Sequence, residues 1–128
     1  MASSKVMRTH LFLSMPKAIE YLGDLQSTHP LLKTLNSSLE KDTHEIAHAI
    51  ETHNFEVLQK ILHQLKGFAP VFCQDILVAE ITRVESLCKA QASPETQLTA
   101  LQASADLLLS LKALQVEVTN QLSAQPEA

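Results

Sequence analysis

The stretch NFEVLQKILHQLKGFAPVF, residues 54–72, decides the fold. Its apolar residues Leu58, Ile61, Leu62, Leu65, Ala69 and Phe72 recur three and four apart, the period of a helix with one buried face. Asn54 stands where an N-cap belongs, with a side chain suited to hold a first-turn N–H. At ~100° per residue, His63 lies roughly 140° from the stripe centre, Gly67 opposite it and Lys66 at its flank. An outward glycine in mid-helix costs about 1 kcal/mol relative to alanine and adds nothing to a core it does not face. Its placement fits a helix that something else must approach closely.

Outward from this segment, the same periodicity predicts further helices. A short one over about residues 12–24 carries Phe12, Leu13, Ile19 and Leu22. STHP (27–30) supplies cap-type residues and a proline near a helix start. The helix after it runs to about Thr52, with Leu32, Leu35, Leu39, Ile46 and Ile50 on one face. A helix over about 74–91 buries Leu77, Ile81, Val84 and Cys88. Ser93-Pro94-Glu95 opens the last one: a cap hydroxyl, a first-turn proline and an acid at the positive dipole end. That helix reaches about Leu122. Its leucines form two faces: Leu98, Leu101 and Leu108 on one, Leu107, Leu111 and Leu114 on the other. The second face implies a contact to the N-terminal helix or, equally, to a second copy. Short connections favour an antiparallel up-down four-helix bundle, all-α, with the short N-terminal helix added. The expected division is an N-terminal extension over 1–26, the bundle over 27–123 and a frayed tail over 124–128.

Composition narrows the function. A chain of 128 residues fits one domain with a real core, built from aliphatic side chains because there is no Trp, one Tyr and four Phe. A net charge of −4 and no Lys/Arg stripe argue against nucleic-acid binding. No apolar run approaches the ~20 residues that span a bilayer, and the N-terminus lacks a long apolar stretch of the signal type. Cys73 and Cys88, read as fifteen apart on one helix, would sit about 22 Å from each other, beyond disulfide reach. Buried thiols in a reducing cytoplasm follow.

HEIAH, residues 44–48, has the spacing of a zinc-protease helix: two imidazoles four apart and a glutamate between them. The continuation AIETHN puts Glu51 and Asn54 where one extended form of that motif has Gly and His. With Leu39, Ile46 and Ile50 inward, His44 and His48 point away from the core, beside Glu45. Glu45-x-x-His48 has no second copy to complete a di-iron site. His44, Glu45 and His48 are therefore read as a solvated face and rejected as a metal site.

His63 fits nucleophilic chemistry better. A neutral imidazole has a free ring nitrogen at cytoplasmic pH and can hold a phosphoryl group as a labile N–P bond. Lys66, one turn on, brings positive charge to the phosphoryl oxygens, and Gly67 leaves room for a protein carrying the donor. The helix supplies no Mg²⁺ site and no general base, so the rest of the active site must come from a partner; without a glycine-rich nucleotide box the chain is not itself an ATP-using kinase.

LHQLKGFA (62–69) resembles the signature of histidine phosphotransfer (HPt) domains, H-x-L-K-G on the second bundle helix. The hydrophobic helix 31–50, the break at His53-Asn54 and LVAEITRVESLCKA (77–90) extend the likeness to about residues 30–120. The resemblance implies a cytoplasmic, monomeric four-helix bundle, a stoichiometric phosphocarrier rather than an enzyme. It would take a phosphoryl group from one receiver-domain aspartate and pass it to another, either free-standing or as the C-terminal part of a hybrid sensor histidine kinase. It assigns His63 as phosphoacceptor, Lys66 as electrostatic support and Gly67 as the access residue. Gln59, Gln64, Glu85 on its helix flank, and Lys89 one turn later are supporting candidates. Gln59 and Pro70 would also lie on the receiver-docking face. Mg²⁺ would be held by the receiver, and the chain itself would bind no cofactor. Family members often carry small residues after the glycine and another glycine ten after the histidine; here Phe68, Pro70 and Cys73 occupy that region. Pro70 removes a donor and crowds the carbonyl of Lys66, which predicts a bend or early tightening. The rival readings are a docking or inhibitor module that transfers nothing and, more distantly, the small zinc hydrolase.

Overall fold

Four side chains set where helices begin. In the computed structural model, which describes residues 11–124, Ser14, Asp24, Asn54 and Ser93 each accept from the backbone N–H three residues on, at 3.3, 2.7, 3.2 and 3.2 Å. Each fills one of the donors a helix start leaves unpaired. The helices they open are α1 (Met15–Leu22), α2 (Leu25–Glu51), α3 (Phe55–Phe72) and α5 (Pro94–Ala124). Between the last two, α4 (Asp75–Ala90) begins with an acid in its first turn and no side-chain cap. Gly23, at φ 103°, ends α1 in a conformation that side chains disfavour. The described residues are all-helical apart from short connections and one isolated bridge between Leu13 and Cys73.

Three boundaries differ from the sequence reading. The second helix starts at Leu25, ahead of STHP, because Asp24 caps it and Thr28 is fully buried with its hydroxyl on the Asp24 carbonyl at 2.8 Å. Pro30 is consequently inside α2, in its second turn, where its missing N–H costs one bond to the Gln26 carbonyl. Phe12 and Leu13 lie outside α1, in a strap that bends at Leu11 and Phe12 and bridges to Cys73 at Leu13. The strap is held by the Glu117 carboxylate, which accepts from the backbone N–H groups of Leu11, Phe12 and Leu13 at 2.9, 3.0 and 2.8 Å. Cys73 is not on the same helix as Cys88. It is the extended C-cap of α3, and both thiols are buried. The helix runs through Pro70 and stops two residues later.

Around the core, α2 packs on α3 and α5, α4 packs on α3 and α5, and α1 packs on α2 and α3. Leu32, Leu39, Ile46, Leu58, Leu62, Leu65, Leu77, Ile81, Leu107, Leu111 and Leu114 are fully buried, each contributing about 1.5–3 kcal/mol by leaving water. On α5 the face of Leu107, Leu111 and Leu114 is the inner one; Leu98 is 57% exposed, and Leu101 and Leu108 are half-buried. The expected contact of α5 with the N-terminal helix is made instead by the strap ahead of it, through Glu117. No helix among the described residues is long and apolar enough to cross a membrane. His10 and the tail after Ala124 lie outside the described residues.

Candidate functional site

Placing Leu58, Leu62, Leu65 and Ala69 in the core turns His63 outward, its side chain 71% exposed. Gly67, one turn on, faces open space: a Cβ built there would meet nothing within 4 Å. Lys66 lies at the flank, with its side chain 36% exposed. These three positions agree with the sequence reading.

What the sequence reading misplaced is Glu85. It was expected on the flank of α4, yet its side chain is 2% exposed, sealed between α4 and α3. Two lysines and one imidazole surround the carboxylate. Lys66 Nζ lies 2.6 Å from Oε1, while His63 Nδ1 at 3.1 Å and Lys89 Nζ at 3.3 Å share Oε2. The lysine at 2.6 Å is the main force holding the Glu85 carboxyl down to about 2; burial pushes the other way, and His63 and Lys89 add to the lowering. Buried charge of this kind persists only when paired and hydrogen-bonded. A signal for it exists in the sequence: Leu77, Ile81, Glu85 and Cys88 follow core spacing, with a carboxylate occupying an apolar position.

The ionised carboxylate dictates the state of the ring. It can only accept, so Nδ1 of His63 carries the proton and donates it, and in the neutral ring Nε2 holds the lone pair. Nε2 is the atom left facing solvent, so the arrangement offers a nucleophile of defined tautomer and orientation. Lys66, expected beside a phosphoryl group, is engaged by Glu85 in this state. Lys89, expected near the histidine, reaches it only through the shared carboxylate.

The remaining candidates separate. Gln59 donates from its side-chain amide to the Cys88 carbonyl at 3.1 Å, so it joins α3 to the end of α4 and leaves His63 alone. Gln64 is exposed next to His63. His44, Glu45 and His48 are exposed on α2 and, with Ala49, Thr52, Asn54 and Val57, line a groove of about 580 Å³. No three His, Cys, Asp or Glu side chains among the described residues are arranged to hold a metal ion. Protein-family models, curated proteins and solved structures return no match to this chain.

Proposed function

We propose that the chain is a histidine phosphotransfer module, with His63 carrying a phosphoryl group between receiver-domain aspartates. The observation behind this reading is the pairing of an exposed imidazole with a buried, ionised carboxylate. Glu85 fixes Nδ1–H, and Nε2 is left free beside a lysine and a side-chain-free patch at Gly67.

The step balances with residues at hand. The Nε2 lone pair attacks phosphorus and forms the N–P bond, while the O–P bond to the receiver aspartate breaks and its electrons return to that carboxylate. Nδ1 keeps its proton, so the ring becomes cationic and Glu85 neutralises it without proton transfer. The reverse step delivers the group to a second receiver. The Mg²⁺ that such transfer uses belongs to the receiver. The helix arrangement also fits: α2, α3, α4 and α5 form a closed ring of neighbours, as an antiparallel up-down four-helix bundle requires, with α1 added across α2 and α3. A cytoplasmic location is part of the same proposal.

Incubation with a phosphorylated receiver domain tests it. Acid-labile, alkali-stable label is expected on the wild-type chain and absent from His63→Gln. Label retained in His63→Gln would move the site elsewhere. A chain that takes no label from any receiver, nor from a small phosphoryl donor, would instead be a docking module.

A further inference from the structure

Two lysines and the His63 N–H meet one carboxylate at Glu85, one lysine more than the phosphoryl group alone calls for. Lys66 alone holds Oε1, whereas Lys89 shares Oε2 with His63. The two lysines also stand differently toward the nucleophile. Lys66 is one turn from His63 on the same helix, so its flexible side chain can reach a group carried on Nε2. Lys89 is on α4, one turn beyond Glu85, and 55% exposed.

Resting on the phosphotransfer reading, we infer that Lys89 is a positioning residue that takes over Glu85 when Lys66 turns to the phosphoryl group on His63. Charge balance carries the argument. Phosphorylation places two negative charges beside the cluster and makes the ring cationic. With both lysines present the phosphorylated cluster is neutral: Lys66 faces the phosphoryl oxygens, and Lys89 with the ring faces Glu85. Without Lys89 the cluster is left with a net negative charge, around a carboxylate that is sealed from water. Either Lys66 stays on Glu85 and the phosphoryl group loses its cation, or Lys66 leaves and the buried carboxylate takes up a proton. Both outcomes disfavour phospho-His63. The ionisable groups around Glu85 are His63 and Lys66 from α3, with Lys89 and the Cys88 thiol from α4; that thiol is held protonated by burial. From α5 the neutral Ser104 hydroxyl meets Cys88.

The test uses the full chain and phosphoramidate, whose P–N bond breaks with loss of ammonia as the N–P bond to His63 forms. In a fixed excess of ammonium, ³¹P NMR reads the equilibrium ratio of phospho-His63 to unmodified chain. Lys89→Gln is expected to lower that ratio about tenfold, and Lys89→Arg to restore it. A second readout follows the Glu85 carboxyl carbon against pH in unphosphorylated protein, with Lys66→Gln imitating the departure of Lys66. Removing Lys89 from Lys66→Gln should raise the carboxyl midpoint by about one pH unit more than removing it from wild type. An unchanged ratio in Lys89→Gln overturns the inference while leaving phosphotransfer intact. So does an equal loss in Lys89→Arg, or strictly additive midpoint shifts. A wild-type chain that takes no label on His63 overturns the phosphotransfer reading, and this inference with it.

Discussion

Nδ1 of His63 lies 3.1 Å from Oε2 of Glu85, a solvent-facing ring tied to a carboxylate that is 2% exposed. The two residues sit on neighbouring helices, 22 positions apart in sequence. Their pairing gives a surface histidine a fixed tautomer with Nε2 unprotonated in the neutral ring, because a buried anion accepts only from a protonated nitrogen. The same pairing links the site to the stability of the fold.

Glu85 gives that link a pH dependence. Its carboxyl is lowered from an ordinary 4.5 to about 2 in the folded chain, so folding favours the ionised form. The stabilisation is complete above the unfolded value and disappears as pH falls through the folded one. Glu85→Gln is expected to cost on the order of 2 kcal/mol at pH 7, after allowance for solvent around the two lysines and the imidazole. Denaturant titrations of the two proteins should converge as pH falls from about 4.5 to 2, and parallel curves across that window would contradict the pairing.

Gly67 should separate stability from docking. Because a Cβ there meets nothing within 4 Å, Gly67→Ala is expected to stabilise the chain by about 1 kcal/mol through helix propensity. Gly67→Gln should still accept phosphate from phosphoramidate, yet lose at least tenfold in transfer rate from a receiver domain. Equal losses with both donors would place Gly67 in the chemistry rather than in access.

The backbone donors of the strap converge on one side chain, while Gln74 donates to the Phe12 and Leu13 carbonyls at 2.7 and 3.3 Å. Glu117→Ala removes the acceptor shared by the N–H groups of Leu11, Phe12 and Leu13, with an expected cost of about 2–4 kcal/mol for three donors left unpaired or rehydrated. Hydrogen exchange at Leu13 should quicken at least tenfold, while the amides of α4 keep their protection relative to global stability.

Leu62, next to His63 in sequence but 1% exposed, separates core from site. Leu62→Ala should cost about 2–5 kcal/mol through lost burial and the cavity left behind. At a temperature where the variant remains folded, His63 should still be labelled by phosphoramidate. The paired change His44→Ala and His48→Ala should leave that labelling untouched, since both imidazoles lie on α2 away from the Glu85 cluster.

Much of this architecture was legible along the chain. The spacing of Leu58, Leu62, Leu65 and Ala69 set the inner face of α3 and so the outward direction of His63 and Gly67. Asn54 and Ser93 announced their helices through cap chemistry that acts over three residues. The misreadings share one cause. The strap at Phe12 and Leu13 and the break at Cys73 depend on partners distant in sequence, and the α2 start at Asp24, though capped locally, goes with the burial of Thr28 against other helices. Glu117 holds the strap from more than a hundred residues away.

Local periodicity, which needs only neighbours within two turns, was enough to determine the helices, their buried faces and the side on which His63 stands. The core spacing of Leu77, Ile81, Glu85 and Cys88 only hinted at it, and tertiary structure decided that Glu85 is a buried partner rather than a surface acid. It also decided that Lys66 and Lys89 converge on it and that Gln59 turns to the Cys88 carbonyl instead of to the histidine. A carboxylate at the edge of an apolar stripe is exposed or sealed according to which helix packs over it, and that choice belongs to the assembled core.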